Sequence, residues 1–296
     1  MKKMNSAVQA TLIVLALLLS SAPSFAQDET ATQAENAQKV WESVKWQEGP
    51  CSVNLGDVAE LRVPIGYIFA GGTDTRKIME VMGNIPSEEE VGFLAPGGSD
   101  WFVVYEFSEV GYVKDDEKNS LDADALLKSI QKSTAEGNKL RKKRGFPSML
   151  NITWLDKPHY DEATHNLEWA IQGEDDTGDK FVNHNTRMLG RKGMMVVTLV
   201  ADPSEIAAVM PDYQASLKEF SFKAGNTYAE FRQGDKLASY GLTALVAGGA
   251  TAVAVKTGLF KYIGKFLIFI LAGLAAFFKK IWAAVKNFIR PGDKPV

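Results

Sequence analysis

The sequence predicts an α+β fold: an antiparallel sheet with flanking helices, arranged as an α/β/α-type sandwich, plus a C-terminal membrane helix or helices. Short segments of alternating polarity, separated by turn residues, are typical of antiparallel strands. Segments of helical periodicity interrupt them. Long apolar runs occur only near the two ends of the 296-residue chain. We therefore predict a signal peptide (1–26), a flexible lead (27–45), an exported α+β domain (46–236), a transmembrane helix (237–255) and a second transmembrane or amphipathic membrane-surface helix (259–290).

The N-terminus has the pattern of an export signal. Lys2 and Lys3 precede the apolar run 11–19, which is too short to span a bilayer. Ser24 and Ala26 then place small residues at the −3 and −1 positions of a cleavage site. The polar segment that follows predicts a flexible lead or a short solvated helix rather than core.

The elements of the domain follow one another with clear boundaries. Ser120 or Asp122 can cap the longer central helix, and Gly83 with Asn84 can end the first helix. The four-strand meander is joined by the turn-rich sequences EDDTGD and GRKG. We expect strands at 51–64 and 91–96 and 101–107, helices at 74–82 and 122–144, strands at 149–155, 165–173, 180–189 and 194–201, and a helix at 203–218.

Charge and composition exclude several classes of function. The exported domain, residues 27–236, has 35 acidic and 23 basic residues, a net charge of −12, which argues against a nucleic-acid partner. Cys51 is the only cysteine, so no intramolecular disulfide can form. The chain contains no G-x-S-x-G, H-E-x-x-H, P-loop or G-x-G-x-x-G motif. We therefore predict no catalytic residue, no metal and no cofactor.

Two of the three histidines lie in KPHYDEATHNLEW, residues 157–169. If EDDTGD places Gly173 opposite Lys180, His184 lies opposite Trp169 on an apolar face. His165 is then roughly 13 Å along the strand from His184, too far for both to bind one zinc ion. His159 and His165 could still meet across the loop between them.

We predict a binding surface on the meander, where aromatic groups and groups able to form two hydrogen bonds occur together. Its candidate residues are His159, Tyr160, Asn183, Asn185, Arg187 and Arg191. The leading hypothesis is a membrane-anchored envelope protein whose exported domain is a binding or scaffold module. One alternative is an envelope hydrolase that uses the His159–His165 loop. Another is an accessory subunit of an inner-membrane transporter.

The C-terminal region predicts contact with a membrane. The 19 uncharged residues 237–255 span roughly 28 Å as a helix, close to the ~30 Å hydrocarbon core. Small residues at four-residue spacing would allow close helix packing: Ala244, Gly248 and Ala252. Five basic residues then share one helical face: Lys261, Lys265, Lys279, Lys286 and Arg290. They either extend from a second span to the interface or hold a surface helix against anionic headgroups.

Several phrases together resemble one family of bacterial proteins. They are CSVNLGDVAELRVPIGY, MGNIPSEEEVGFLAP, WFVVYEFSEVGYVKDDEK, LDADALLKSIQ, KPHYDEATHNLEWAI, VNHNTRMLGRKGMM and FRQGDKLASYGL, spread over residues 46–255. The family comprises uncharacterised, membrane-anchored exported proteins defined by domain of unknown function 2167. From the export signal, the apolar run and the basic face that follows it, we expect an inner-membrane protein with a periplasmic main domain and a membrane or envelope protein as its partner. The resemblance itself implies a bacterial envelope protein with a C-terminal anchor. It implies no activity. The element order is similar to Mog1/PsbP-like sandwiches.

Overall fold

The computed structural model describes residues 35–84, 86–99 and 101–247. The predicted signal peptide, part of the predicted lead and the basic segment 259–290 lie outside these residues. The chain divides into two units, one ending at Ser43 and the other beginning at Val44. In the first unit, residues 35–43 form helix α1, in which Glu35 pairs with Lys39 one turn later.

The second unit is built on an eight-stranded sheet whose strand pairs are all antiparallel. The strands are β1 (Gln47–Glu48), β4 (Tyr67–Gly71), β5 (Glu90–Pro96), β6 (Phe102–Ser108), β7 (Met149–Asp161), β8 (Asn166–Asp175), β9 (Lys180–Leu189) and β10 (Met194–Ala201). Their order across the sheet is β1-β4-β5-β6-β10-β9-β8-β7. The predicted large antiparallel sheet with flanking helices is therefore confirmed.

One face of this sheet is covered by a second sheet together with a helix. Strands β2 (Cys51–Leu55), β3 (Ala59–Val63) and β11 (Phe220–Phe222) form the second sheet, in the order β11-β3-β2. Helix α4 (Ile206–Lys218) lies beside it, and we call this side the α4 face. An α/β/α sandwich would require a purely helical layer here. This layer instead combines a small sheet with one helix. Strand β3 explains why, because its residues alternate strictly between buried and exposed.

The opposite side, the α3 face, is covered by helices α3 (Ala123–Lys143) and α5 (Leu242–Val246). Leu126 and Ile130 of α3 belong there to the same buried cluster as Trp169 and Val196 of the sheet. The predicted cap of α3 is confirmed, because the Asp122 carboxylate accepts hydrogen bonds from two backbone amides of the first turn at 3.1 and 3.0 Å. The remaining helix, α2 (Gly72–Val81), packs on β4 and β5.

The β8–β9 register differs by one residue from our prediction. Gly173 pairs with Phe181 rather than with Lys180, so Trp169 pairs with Asn185, and His184 pairs with Ala170. The hairpin closes one residue later because the Asp175 carboxylate accepts hydrogen bonds from the backbone amides of Thr177 and Asp179. A shift of one residue exchanges the two faces of a strand.

The faces expected for four β9 residues are corrected as a result. Asn183, Asn185 and Arg187 lie on the α3 face beside Trp169, and both asparagines are buried instead of exposed. His184 lies on the α4 face, where its ring contacts Tyr213 at 5.3 Å. It is buried, as expected, but in the core on the α4 face and not in the core that contains Trp169.

The segment predicted to enter the membrane begins as part of the folded domain. Leu242, Leu245 and Val246 of α5 are buried in the α3-face core. In the parts of the chain that the structure describes, no helix combines the length and apolar character that a membrane span needs. Ala244 of the predicted small-residue stripe is buried in α5, whereas Gly248 and Ala252 lie outside the described residues. The span 237–255 stays a prediction.

Candidate functional site

A row of paired residues crosses the α3 face and brings two carboxylates and a guanidinium onto one side of the sheet. Glu90 pairs with Glu106, Glu106 with Val196, and Val196 with Arg187. Paired residues in antiparallel strands project to the same side. The polar residues of this region, which we call the sheet-centre cluster, are Glu90, Glu106, Ser108, Asn185, Arg187 and Thr198.

The cluster contains buried polar atoms without partners. Among the described residues, Glu90 Oε2, Glu106 Oε2, Ser108 Oγ and Thr198 Oγ1 are closed to solvent and form no hydrogen bond. Ser108 lies two residues from Glu106 on the same strand face, and Thr198 lies two residues from Val196 on the next strand. Because nearly all buried polar groups in proteins are paired, several unpaired ones together call for an explanation. Each costs about 1–3 kcal/mol when left unsatisfied.

The two carboxylates differ in their surroundings. Glu90 Oε1 accepts a hydrogen bond of 2.6 Å from the backbone amide of Ser87. Glu106 is almost completely buried, and this burial raises its pKa well above the usual range. The charge of Glu90 raises that pKa further, while Arg187 lowers it. Glu106 therefore favours the neutral form more than a surface glutamate does, and a positively charged donor beside its carboxyl group would favour ionisation.

Arg187 presents a guanidinium that is held in place with most of its donors free. Its Cζ atom lies 4.7 Å from the centre of the Trp169 ring. Its only hydrogen bond among the described residues is a long one, 3.4 Å from Nη1 to the carbonyl oxygen of Thr186. Burial lowers the pKa of Arg187 to about 10, so the side chain is a cation at neutral pH. A stacked guanidinium with free donors is suited to binding a carboxylate through two hydrogen bonds.

The C-terminal segment packs in the apolar core on the same face of the sheet as the cluster. Burial raises the pKa of Tyr240 to about 12, and the charge of Glu89, which precedes Glu90, adds to this shift. Tyr240 packs at the edge of the α3-face core, two residues before α5 begins.

The structure separates the predicted binding residues into three groups. Asn185 pairs across the sheet with Thr198, and its Nδ2 donates to the carbonyl oxygen of Asn183 at 3.2 Å. These two asparagines and Arg187 are thus brought together on the α3 face. Arg191 lies apart from them. It donates two hydrogen bonds to the Asp235 carboxylate, at 2.7 and 2.8 Å, which ties the β9–β10 turn to the C-terminal segment.

His159 and Tyr160 form the third group, and both lie on β7 rather than in a loop. His159 pairs with Glu168, whereas Tyr160 pairs with Leu167 and therefore points to the opposite side. The His159 Nδ1 atom is 3.8 Å from the Asp156 carboxylate. The Tyr160 hydroxyl lies 3.1 Å from His165 Nδ1, so His165 is turned toward Tyr160. Within the described ranges, no three His, Cys, Asp or Glu side chains are grouped to hold a metal ion.

The sequence prediction missed four members of the cluster. Glu90, Glu106, Ser108 and Thr198 come from strands β5, β6 and β10. One signal was present: Glu106 follows four apolar or aromatic residues in the strand sequence FVVYEFS and precedes another. A glutamate inside such a strand is rarely buried unless it has a partner or a role.

Comparisons with other proteins identify a family, and the solved structures that match include two distant likenesses. A family model described as "Protein of unknown function (DUF2167)" matches residues 47–284. No curated protein matches the chain. The solution structure of PsbP (CyanoP) from the cyanobacterium Synechocystis sp. PCC 6803 is 13% identical, with a TM-score of 0.33 over 61% of this chain and 93% of that one. The crystal structure of PA94 from Pseudomonas aeruginosa, a protein of unknown function described as a putative regulator, is 10% identical, with a TM-score of 0.26 over 57% of this chain and 93% of that one.

Proposed function

The chain belongs to the DUF2167 family of proteins of unknown function, and we propose that its α+β domain is a binding module that holds a small polar ligand at the sheet-centre cluster. One observation carries the proposal: the unpaired buried atoms of Glu90, Glu106, Ser108 and Thr198 lie on the same face as a stacked guanidinium with free donors.

A ligand accounts for this arrangement better than a purely structural role does. Unpaired buried groups destabilise the free protein, and apolar residues of similar shape would remove that cost. The same groups become favourable when a bound molecule supplies their missing partners. The stacking of Arg187 on Trp169 also fixes the side chain before binding, which reduces the entropy lost on association.

We also propose that the module acts in the bacterial envelope, anchored in the inner membrane with its main domain on the periplasmic side. The support is the N-terminal export pattern, the uncharged residues that continue beyond Ala247 to Val255, and the apolar segment 259–290 with its basic face. On this proposal Lys261 and the other basic residues of that face contact anionic headgroups, and a membrane or envelope protein is the partner. Protease added to intact spheroplasts would then digest the domain. A domain that is protected until the cells are lysed would contradict this placement.

The binding proposal is tested by ligand screening on the full-length protein in detergent micelles. We expect at least one small polar compound to raise the melting temperature. Arg187→Lys should abolish the rise, because a lysine ammonium cannot reproduce the planar fork of donors. The matched control is Arg191→Lys, which changes an arginine engaged by Asp235 outside the cluster and should leave the rise intact.

Thr198→Val provides a second readout that a structural role would not produce. It removes an unpaired buried hydroxyl without changing the shape of the side chain, so the free protein should be equally stable or more stable. The ligand-induced rise should nevertheless shrink. Stabilisation that survives Arg187→Lys, or a protein that no compound stabilises, would contradict the proposal.

A further inference from the structure

We infer that the ligand of the sheet-centre cluster is a free α-amino acid, whose carboxylate is bound by Arg187 and whose ammonium group is bound by Glu90 and Glu106. This inference rests on the proposed function and specifies its ligand. It requires two opposite charges at the site, and the structure supplies both on one row of the sheet.

The positive end of the site is Arg187. Its guanidinium is oriented by the Trp169 ring and keeps donors free for two parallel hydrogen bonds to a carboxylate. Glu106 and Arg187 both pair with Val196, which places their Cα atoms about 9–10 Å apart, two strand spacings. The two side chains influence each other's charge, but they form no hydrogen bond to one another among the described residues.

The acceptor end is formed by Glu90 and Glu106. Each keeps an Oε2 atom that is buried and unpaired, and each residue exposes no more than 2% of its surface. An ammonium group carries three donors, and it can serve both oxygens and still donate to the Thr198 hydroxyl. These unpaired buried atoms, rather than the acidic character of the region alone, indicate a ligand that donates hydrogen bonds.

Because the site has a cationic end and an acidic end, it favours a zwitterionic ligand over a ligand that carries charge of only one sign. A ligand with only negative charge would satisfy Arg187 but leave the Glu90 and Glu106 oxygens without donors. A ligand with only positive charge would satisfy the carboxylates but face an unneutralised guanidinium. A zwitterion pairs both ends, and it adds no net charge to a largely buried site.

Binding of amino acids to the full-length protein in detergent micelles tests the inference. Each of the common L-amino acids is titrated singly, and any that binds is compared with its N-acetyl and carboxamide derivatives. We expect either derivative to bind at least about tenfold more weakly, because each removes one charged partner. Arg187→Lys and Glu106→Gln should each cause a similar loss, whereas the control Arg191→Lys should not. If Glu106→Gln does not fold, Thr198→Val replaces it.

The other outcomes separate this inference from the proposed function. Equal binding of the N-acetyl derivative, or of acetate or inorganic phosphate, would show an anion site and overturn the amino-acid assignment. Equal binding of the carboxamide would show a cation site and overturn it as well. In both cases the proposed function stands only if Arg187→Lys also weakens the binding. If no compound of any class binds, both proposals fail.

Discussion

Glu106 is the residue at which the conflict between stability and binding is sharpest. Its pKa is raised well above the usual 4.5, first by burial and then by the charge of Glu90. An acid whose pKa is raised by folding destabilises the folded protein once the pH exceeds the unfolded value. We therefore predict that Glu106→Gln is more stable than the wild type, and that its advantage grows as the pH rises from about 4.5 toward the folded pKa.

The measurement is the free energy of unfolding in urea at a series of pH values between 4 and 8. Glu109→Gln is the matched control, since it makes the same change three residues away at an exposed position. Its curve should follow the wild type. A Glu106→Gln curve that is parallel to the wild type would show that Glu106 is ionised in the folded protein as easily as in the unfolded one.

Asp235 should produce the opposite dependence on pH. Hydrogen bonds from the Arg191 side chain lower its pKa from 3.8 to about 2. A carboxylate whose pKa is lowered by folding stabilises the protein above the unfolded value, and this contribution is lost as the pH falls through the folded pKa. We predict that Asp235→Asn loses less stability than the wild type as the pH falls from 4 to 2, because the variant lacks the contribution of this carboxylate from the start. Acid titration followed by circular dichroism measures it, with Asp57→Asn at an exposed turn as the control.

At the scale of elements, two adjacent glycines at the start of α2 have different reasons to be glycine. A Cβ atom on Gly72 would lie 2.2 Å from the carbonyl oxygen of Glu90, whereas one on Gly71 would meet nothing within 4 Å. We predict that Gly72→Ala destabilises the protein by about 1–3 kcal/mol, because α2 must move away from β5. Gly71→Ala should cost less than about 1 kcal/mol, the loss of a favoured N-cap residue.

Urea unfolding of the two variants gives the comparison directly. Because Glu90 belongs to the sheet-centre cluster, Gly72→Ala should also weaken the binding of any ligand found there, while Gly71→Ala should leave that binding unchanged. Equal effects of the two substitutions would mean that Gly72 does not lie as close to the backbone of β5 as the structure shows.

The elements also show which features the sequence could predict. The bounds of β9 and β10 and the cap of α3 follow from local signals, namely alternation, turn residues and Asp122. The pairing of β8 with β9 does not, because β9 is buried on both faces and its alternation marks neither one as the core. The turn decides the register, and it depends on how Asp175 arranges its hydrogen bonds.

The candidate site was only partly predictable for the same reason. Arg187, Asn183 and Asn185 were selected for their hydrogen-bonding capacity, but they were placed on an exposed surface. Glu90 and Glu106 come from strands more than 75 residues earlier in the chain, and only the order β5-β6-β10-β9 brings them beside Arg187. No local pattern in one sequence encodes which strands become neighbours.

At the scale of the whole molecule, the first part of the C-terminal segment, as far as Ala247, is packed in the core of the domain. Leu242 is fully buried in the α3-face core, and the backbone amide of Thr243 donates to the Glu117 carboxylate at 2.7 Å. Leu237, five residues earlier, is 47% exposed. The apolar character of this stretch therefore serves domain packing as far as Ala247, which its sequence alone does not distinguish from lipid contact.

This difference leads to a prediction about where the domain ends. Leu242→Ala in the full-length protein should lower the free energy of unfolding of the domain by about 2–5 kcal/mol, because it opens a cavity in the α3-face core. Leu237→Ala removes the same atoms from an exposed position and should change it by less than about 0.5 kcal/mol. Urea unfolding in detergent micelles, followed by the fluorescence of Trp169 and the other tryptophans, measures both. If Leu242→Ala leaves domain stability unchanged, the fold ends near Lys236, and the segment after it is free to enter the membrane from its first residue.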